Sequence, residues 1–347
     1  MAYNDLVAQK IKDFEQQGVP QVFERDLDLG NPQEPKRDNI VNVIVGARRC
    51  GKTYRLYQEM RRLQSRGVEL DRMLYFNFED ERLRPYEPSL LADVLDTFYA
   101  LYPAARGEGA YLFFDEIQEI PEWGAFLRRV VDTEKATVYV TGSSSKMLSS
   151  ELKSEFRGRS LVRELFPLSF SEYVRYKTGS VPEPDATFSP SDAALLRHHL
   201  IGYLEQGGFI ATLEQTPADA IQLLQEYASR TVAMDVVERY DVKNPRLASL
   251  FLTRCMASSG RELSVNKVYN EFKSRQIPVS RNSLSDLLEY YEDAYLLFSV
   301  PESRVHWQIT CGLRLRSTLS TLRCLEHSLP HRHWTRARGS RPQCSMR

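Results

Sequence analysis

The sequence predicts an α/β fold, a parallel sheet flanked by helices, followed by a helical, winged-helix-like domain. Three observations carry that expectation. The apolar run Val41-Asn42-Val43-Ile44-Val45 ends in a glycine-rich turn and leads into a helix-like stretch. A second run, Tyr111-Leu112-Phe113-Phe114, is bulky enough for a fully buried strand and ends in Asp115-Glu116. Beyond residue 190 helical stretches dominate, and Ala294–Val300 reads as a closing strand.

The first turn reads Gly46-Ala47-Arg48-Arg49-Cys50-Gly51-Lys52-Thr53, the pattern of a phosphate-binding P-loop between strand and helix. Gly46 and Gly51 let the backbone fold tightly and approach a phosphate. The successive amides of the loop, those of Ala47, Arg48, Arg49, Cys50 and Gly51 among them, point inward as an anion nest at the positive end of the next helix. Lys52 supplies a mobile charge for the β and γ phosphates, and Thr53 a hydroxyl for Mg²⁺. The following helix spans about Tyr54–Ser65, with Arg55, Arg61 and Arg62 on a solvated face.

Met73–Phe78 is the second strand, and Glu79-Asp80-Glu81 at its end is a solvated acidic turn or a contributor to the site. Asp115-Glu116 has the Walker B pattern. Asp115 would hold Mg²⁺ through water, and Glu116 would orient the attacking water. The other reading is an N-cap pair for a helix starting near Pro121. A glutamate directly after the aspartate indicates the additional-strand (ASCE) class of P-loop ATPases, which requires one more strand between the P-loop strand and the Asp-Glu strand. Ala136–Val140 fits, and Thr141-Gly142-Ser143-Ser144-Ser145 follows it. Ser143 or Ser144 is then the γ-phosphate sensor, or the stretch is a Ser-rich turn. Leu161–Phe166 is the fifth strand. Just before it, Arg157 or Arg159 is a finger for a neighbouring subunit or a surface arginine.

In that order, Gly-Ala-Arg-Arg-Cys-Gly-Lys-Thr, Phe-Phe-Asp-Glu-Ile-Gln-Glu, Thr-Gly-Ser-Ser-Ser and Phe-Pro-Leu-Ser-Phe-Ser-Glu-Tyr resemble the prokaryotic AAA-type ATPases of the archaeal-ATPase-like group. The similarity continues through Tyr203–Phe209 and ends near Pro301. The resemblance implies an AAA-type ATPase followed by a C-terminal domain of unknown function. It also implies that Gly46, Gly51, Lys52 and Thr53 bind ATP and Mg²⁺, and that Asp115 and Glu116 serve hydrolysis.

Residues 1–38 read as an N-terminal helix and linker, 39–178 as the ATPase domain and 190–302 as the helical domain. Residues 171–191, with Pro182, Pro184 and Pro190, form the break between them. In the helical domain, stretches at 193–203, 217–230, 245–258, 265–275 and 280–293 precede the closing strand. The last carries Arg281 and Asn282 near its start, where a recognition helix reads bases, but also Asp286, Glu289, Glu292 and Asp293. Those acids put a protein partner ahead of DNA.

The 347 residues, 42% hydrophobic and 27% charged, suit a soluble protein of two domains. Zero net charge excludes a global attraction for polyanions. Five cysteines without CxxC pairs indicate neither zinc nor a disulfide framework. The N-terminus lacks a signal-peptide pattern and no apolar stretch is long enough to span a membrane, so a cytoplasmic location is expected. From Ser303 to Arg347 there are nine Arg against one acid, Glu326, a charge of 9 − 1 = +8. A frameshift near residue 302 accounts for this tail; the rival is a basic arm for nucleic acid.

Two function classes follow. The first is Mg²⁺-dependent ATP hydrolysis driving conformational change in the helical domain, in a homo-oligomer if an arginine finger operates. The second is a nucleotide-gated switch that binds protein or DNA with little hydrolysis. A third idea, redox control through Cys50, rests on a thiol whose pKa falls at a helix N-terminus.

Overall fold

The computed structural model describes residues 3–143, 156, 158–181, 189–301 and 309–311. Expectations for Ser144, Ser145, Arg157 and residues 312–347 lie outside the described residues. The chain forms two compact units that do not follow its order. Met1–Phe166 is joined by Arg230–Val242 and Glu289–Tyr295; the second unit holds Pro167–Ser229, Lys243–Leu288 and the described residues from Leu296 onward. Two segments assigned by sequence to the helical domain therefore belong with the P-loop unit.

The first unit is built on five parallel strands in the order β2-β3-β4-β1-β5. These are β1 (Val41–Val45), β2 (Met73–Asn77), β3 (Ala110–Asp115), β4 (Ala136–Gly142) and β5 (Ser160–Glu164). Every residue of β1, β3 and β4 is buried. Central parallel strands are covered on both faces, which explains their continuous apolar runs. As expected, the additional strand β4 lies between β1 and β3. Ile44 pairs with Thr141 and Asn77 with Asp115, so the chain leaves β1, β3 and β4 at one edge. In an open parallel sheet that edge is where ligands bind.

Helix α1 (Tyr3–Gln17) reaches the sheet through Phe14, whose ring lies 4.6 Å from Tyr75. Helix α2 (Lys52–Gln64) buries Leu56, Met60 and Leu63 at helical spacing. Arg55 is not on a solvated face: it is 3% exposed, bonded to Glu59 and to the Leu27 carbonyl. Helices α3 (Ser89–Leu101) and α4 (Pro103–Glu108) link β2 to β3, and α5 (Trp123–Thr133) links β3 to β4. Later in the chain, Val232–Glu238 adds a π-helical turn to this unit.

In the second unit, α6 (Phe170–Thr178) occupies the first part of the expected break. Ser169 and Glu172 form a capping box that starts this helix, and Gly179 at φ 81° ends it. Helix α7 (Pro190–Gln206) starts the same way, from Ser189 and Asp192. Then come α8 (Ile210–Leu213), α9 (Pro217–Thr231) and α10 (Pro245–Met256), followed by β6 (Arg261–Leu263), α11 (Val265–Ser274) and α12 (Arg281–Asp293). Strands β7 (Ser299–Pro301) and β8 (Ile309–Cys311) complete an antiparallel sheet in the order β6-β8-β7. The expected strand at 294–300 shrinks to its end, because Ala294–Leu297 form a buried turn. Strand β8 lies within the stretch set apart by composition from residue 303. Among the described residues, no helix is long and apolar enough to cross a membrane.

Candidate functional site

The loop between β1 and α2 is clamped at its start by the chain leaving β5. Leu165 N–H donates to the Val45 carbonyl at 2.7 Å, and a Cβ on Gly46 would lie 2.0 Å from the Leu165 oxygen. Only glycine fits there. At the other end Gly51, at φ 100°, is the residue before α2, and no side chain caps the first amides of that helix. Uncapped amides at a helix N-terminus make an anion-binding surface.

Lys52 is 4% exposed, with Nζ 3.2 Å from the Gly46 carbonyl, 3.1 Å from that of Ala47 and 3.4 Å from Glu116. Burial works against its charge, but Glu116 and Asp115 outweigh it and raise its pKa.

Asp115 is fully buried and collects hydroxyl and amide donors from three elements. Thr53 Oγ1 donates at 2.7 Å, the Tyr75 hydroxyl at 3.0 Å and Asn77 Nδ2 at 3.3 Å. The Thr141 hydroxyl bonds its other oxygen. Burial and the neighbouring Glu116 raise the Asp115 pKa against those donors. Glu116 shifts the other way: burial would raise it, but Lys52, Gln118 and Arg48 hold it below the ordinary range. Its backbone sits at φ 51°, a left-handed conformation uncommon for glutamate and held by the N–H bond to Thr141 Oγ1 at 3.0 Å. Neither acid caps a helix: Glu116 makes no side-chain cap to the turn after it, and α5 starts from Glu122. That removes the N-cap reading.

Ser143 is buried at the end of β4, its hydroxyl without a hydrogen-bond partner among the described residues. Arg159 is at the opposite sheet edge, where β5 begins. Its carbonyl accepts from Val41, and its guanidinium pairs with Asp38 and Asp132, each at 2.8 Å. It does not approach the loop of its own chain. Cys50 is 4% exposed, and burial pushes its thiol up despite Lys52 and Arg25, which corrects the expected low-pKa thiol. Ala47 is buried and Arg49 is exposed in a left-handed conformation at φ 63°. Arg48 leaves the loop to meet Asp235 at 2.6 Å and Glu79 at 3.4 Å. Of the acidic turn, Glu79 thus reaches a loop residue, while Asp80 is held by Lys10 and Arg82.

Sequence reasoning missed Arg25, Tyr75, Asn77, Thr141 and Asp235. Tyr75 and Asn77 alternate along β2, and the pairing of Asn77 with Asp115 follows from register, which only the strand order supplies. No local pattern marks Arg25 or Asp235.

An amide-lined loop, a buried ammonium and an uncapped helix end suit a polyphosphate. Thr53 and Asp115 offer hard oxygen ligands for a divalent cation. Among the described residues no group of three or more His, Cys, Asp or Glu could hold a metal unaided.

Residues 38–174 match the family described as AAA domain, and residues 197–308 match Domain of unknown function (DUF8612). The second match runs past residue 302, where the tail was expected to begin. The uncharacterized protein MJ1544 of Methanocaldococcus jannaschii is 34% identical over 261 residues, covering 75% of this chain and 56% of its own length. An uncharacterized protein of Haemophilus influenzae is 25% identical over 270 residues, covering 77% of this chain and 64% of its own length. The chain thus spans 56% and 64% of these two curated relatives. Among solved structures, the Aeropyrum pernix ORC1 protein in complex with DNA aligns over 94% of both chains at 16% identity, with a TM-score of 0.34.

Proposed function

We propose that the protein binds ATP with Mg²⁺ and hydrolyses it to ADP and phosphate, a reading supported by the match of residues 38–174 to the AAA domain family and of residues 197–308 to DUF8612. One observation carries the reading: Thr53 meets Asp115 at 2.7 Å and Lys52 meets Glu116 at 3.4 Å, beside an uncapped helix end. The loop amides and Lys52 bind the phosphates and offset charge at the β–γ bridge. Thr53 and Asp115 hold Mg²⁺, which supplies further neutralisation of phosphate charge. Glu116, ionised at neutral pH, aligns a water and accepts its proton as the water oxygen bonds to the γ-phosphorus and the bridge bond breaks. The Ser143 hydroxyl contacts the terminal phosphate. Hydrolysis drives conformational change in the helical region that follows.

ATP turnover and ATP binding, measured with Mg²⁺ for the wild type, Lys52→Ala and Glu116→Gln over a range of protein concentrations, test this. The expected result is loss of binding in Lys52→Ala, and retained binding without turnover in Glu116→Gln. Turnover per chain that rises with concentration would indicate a homo-oligomer. A wild type that does not bind ATP would overturn the reading.

A second reading, a nucleotide-gated switch in which the second unit acts as a winged helix, draws support from the element order α10-β6-α11-α12-β7-β8 and the strand order β6-β8-β7. The exposed face of α12 carries Arg281 and Asn282 but also Asp286 and Glu289, and Arg281 stacks over Tyr269 at 5.0 Å. That mixed charge favours a protein partner over DNA. Retention of duplex DNA by the wild type at 150 mM salt in a mobility-shift assay would reverse that preference.

A further inference from the structure

We propose that Arg25, upstream of the matched AAA residues, is a positioning residue that sets the phosphate loop for nucleotide binding. The inference rests on the ATP-binding reading above. Arg25 is 6% exposed, among the few buried arginines of the P-loop unit. Its guanidinium donates from Nη1 to the Cys50 carbonyl at 2.8 Å and from Nη2 to the Phe166 carbonyl at 2.6 Å. One rigid fork therefore ties the last turn of the loop to the chain leaving β5. The same exit chain bears on the loop's first residue, since Leu165 closes on Gly46. The loop is thus fixed at both ends against residues 165–166, directly at Gly46 and through Arg25 at Cys50.

Arg25 is itself held in place. Its N–H donates to Gln58 Oε1 at 3.0 Å, and its carbonyl accepts from Gln58 Nε2 at 3.1 Å. Gln58 lies on α2, the helix the loop begins. A side chain that pairs with both main-chain groups of one residue holds that residue's backbone in place, and the two carbonyls at Cys50 and Phe166 orient its guanidinium.

The consequence for binding follows from peptide geometry. In a trans peptide the C=O of one residue and the N–H of the next point in opposite directions across one plane. Holding the Cys50 carbonyl toward Arg25 therefore turns the Gly51 N–H away from it. Gly51 precedes α2 and sits at φ 100°, where the peptide could otherwise rotate freely because glycine resists neither hand. A Cβ on Gly51 would stand 3.4 Å from Arg25 Nη1, so the guanidinium lies directly against this residue. Its charge is also felt at Cys50, where it counters the effect of burial on the thiol. Arg25 thus contributes in two ways: it fixes one amide of the anion nest, and it adds positive charge behind the loop. Lysine, a single point charge, cannot bridge two carbonyls with the same geometry.

The test is nucleotide affinity measured by calorimetry on the full chain with Mg·ATP and Mg·ADP, for the wild type, Arg25→Met and Arg25→Lys. Thermal unfolding of each variant is recorded beside it. Arg25→Met should bind both nucleotides about tenfold more weakly, with Arg25→Lys between it and the wild type. A merely structural arginine would lower the unfolding temperature and leave the affinity of the folded protein unchanged. If Arg25→Met does not fold, Arg25→Lys decides: affinity within twofold of the wild type overturns the proposal. Failure of the wild type to bind either nucleotide would instead sink the ATP-binding reading, and it would appear before any variant is compared.

Discussion

Arg48 and Asp235 are 187 residues apart in sequence and form a two-point ion pair: Nε lies 2.6 Å from Oδ2, and Nη2 3.2 Å from Oδ1. The Asp235 side chain is 1% exposed and also accepts from Arg239 at 3.0 Å. Burial lowers the Arg48 pKa, but the bond and charge of Asp235 outweigh it and hold the guanidinium above its ordinary range. A loop residue is thereby fastened to the π-helical turn Val232–Glu238, and π-turns are frequent at functional sites.

Removing the carboxylate leaves two partly buried guanidinium groups without it. Asp235→Ala should therefore cost about 3 kcal/mol of stability, the usual penalty for breaking a buried pair from one side. In a double-mutant cycle with Arg48→Met, read from urea unfolding, the two losses should fall short of additivity by at least about 1 kcal/mol. Additive losses would mean that the pair is geometrically present and energetically idle. ATP should also alter amide exchange in Val232–Glu238 of the wild type, and leave it unaltered in Asp235→Asn.

Two glycines of the loop are needed for different reasons, and alanine separates them. At Gly46 the obstacle is the Leu165 carbonyl, 2.0 Å from the new Cβ, and backbone cannot step aside as a flexible side chain can. Gly46→Ala should cost about 3 kcal/mol or more and abolish ATP binding. At Gly51 the nearest atom is 3.4 Å away, so the cost is one of conformation at φ 100°, about 1–2 kcal/mol. Urea midpoints for the two variants, measured side by side, check the order.

Much of the P-loop unit is readable from sequence because its signals are local. Buried parallel strands show as apolar runs, and the glycine pattern marks the turn after β1. Glu116, directly after Asp115, implies one more strand between the two motifs, and the run Ala136–Val140 supplies it. What escaped depends on long-range placement. Arg55 looks like a surface residue until Glu59, one turn on, is buried with it. Arg25 and Asp235 have no pattern of their own: each matters through a partner that only folding brings near. The misjudged Cys50 has a physical cause as well, since a helix end lowers a thiol's pKa only where burial does not cost more.

Asp80 gives a pH-dependent test. Arg82 bonds its carboxylate and Lys10 of α1 adds a further bond at 2.5 Å, so its pKa is well below the ordinary carboxylate range. A folded pKa lower than the unfolded one gives stability that is fully present above about pH 4 and lost as pH falls through the folded value. Melting temperatures of the wild type and Asp80→Asn should differ at neutral pH and converge toward pH 2. A gap of constant size across that range would show that the contribution is not electrostatic.

Thr141 and Ser143 stand two residues apart at the end of β4, and the structure separates their roles. Thr141 is committed, donating to Asp115 and accepting from the Glu116 N–H. Ser143 is equally buried but its hydroxyl has no partner among the described residues, and such a group lowers stability unless a ligand meets it. Thr141→Val should therefore cost about 2 kcal/mol and disturb Mg²⁺-dependent binding, because it strips bonds from both acids at once. Ser143→Ala should be neutral or up to about 1 kcal/mol stabilising, since it removes an unsatisfied oxygen. If the hydroxyl meets the terminal phosphate, the same variant loses affinity for ATP more than for ADP. Equal affinity ratios in wild type and Ser143→Ala would remove Ser143 from the site, and the unpaired hydroxyl would then be a packing cost with no functional return.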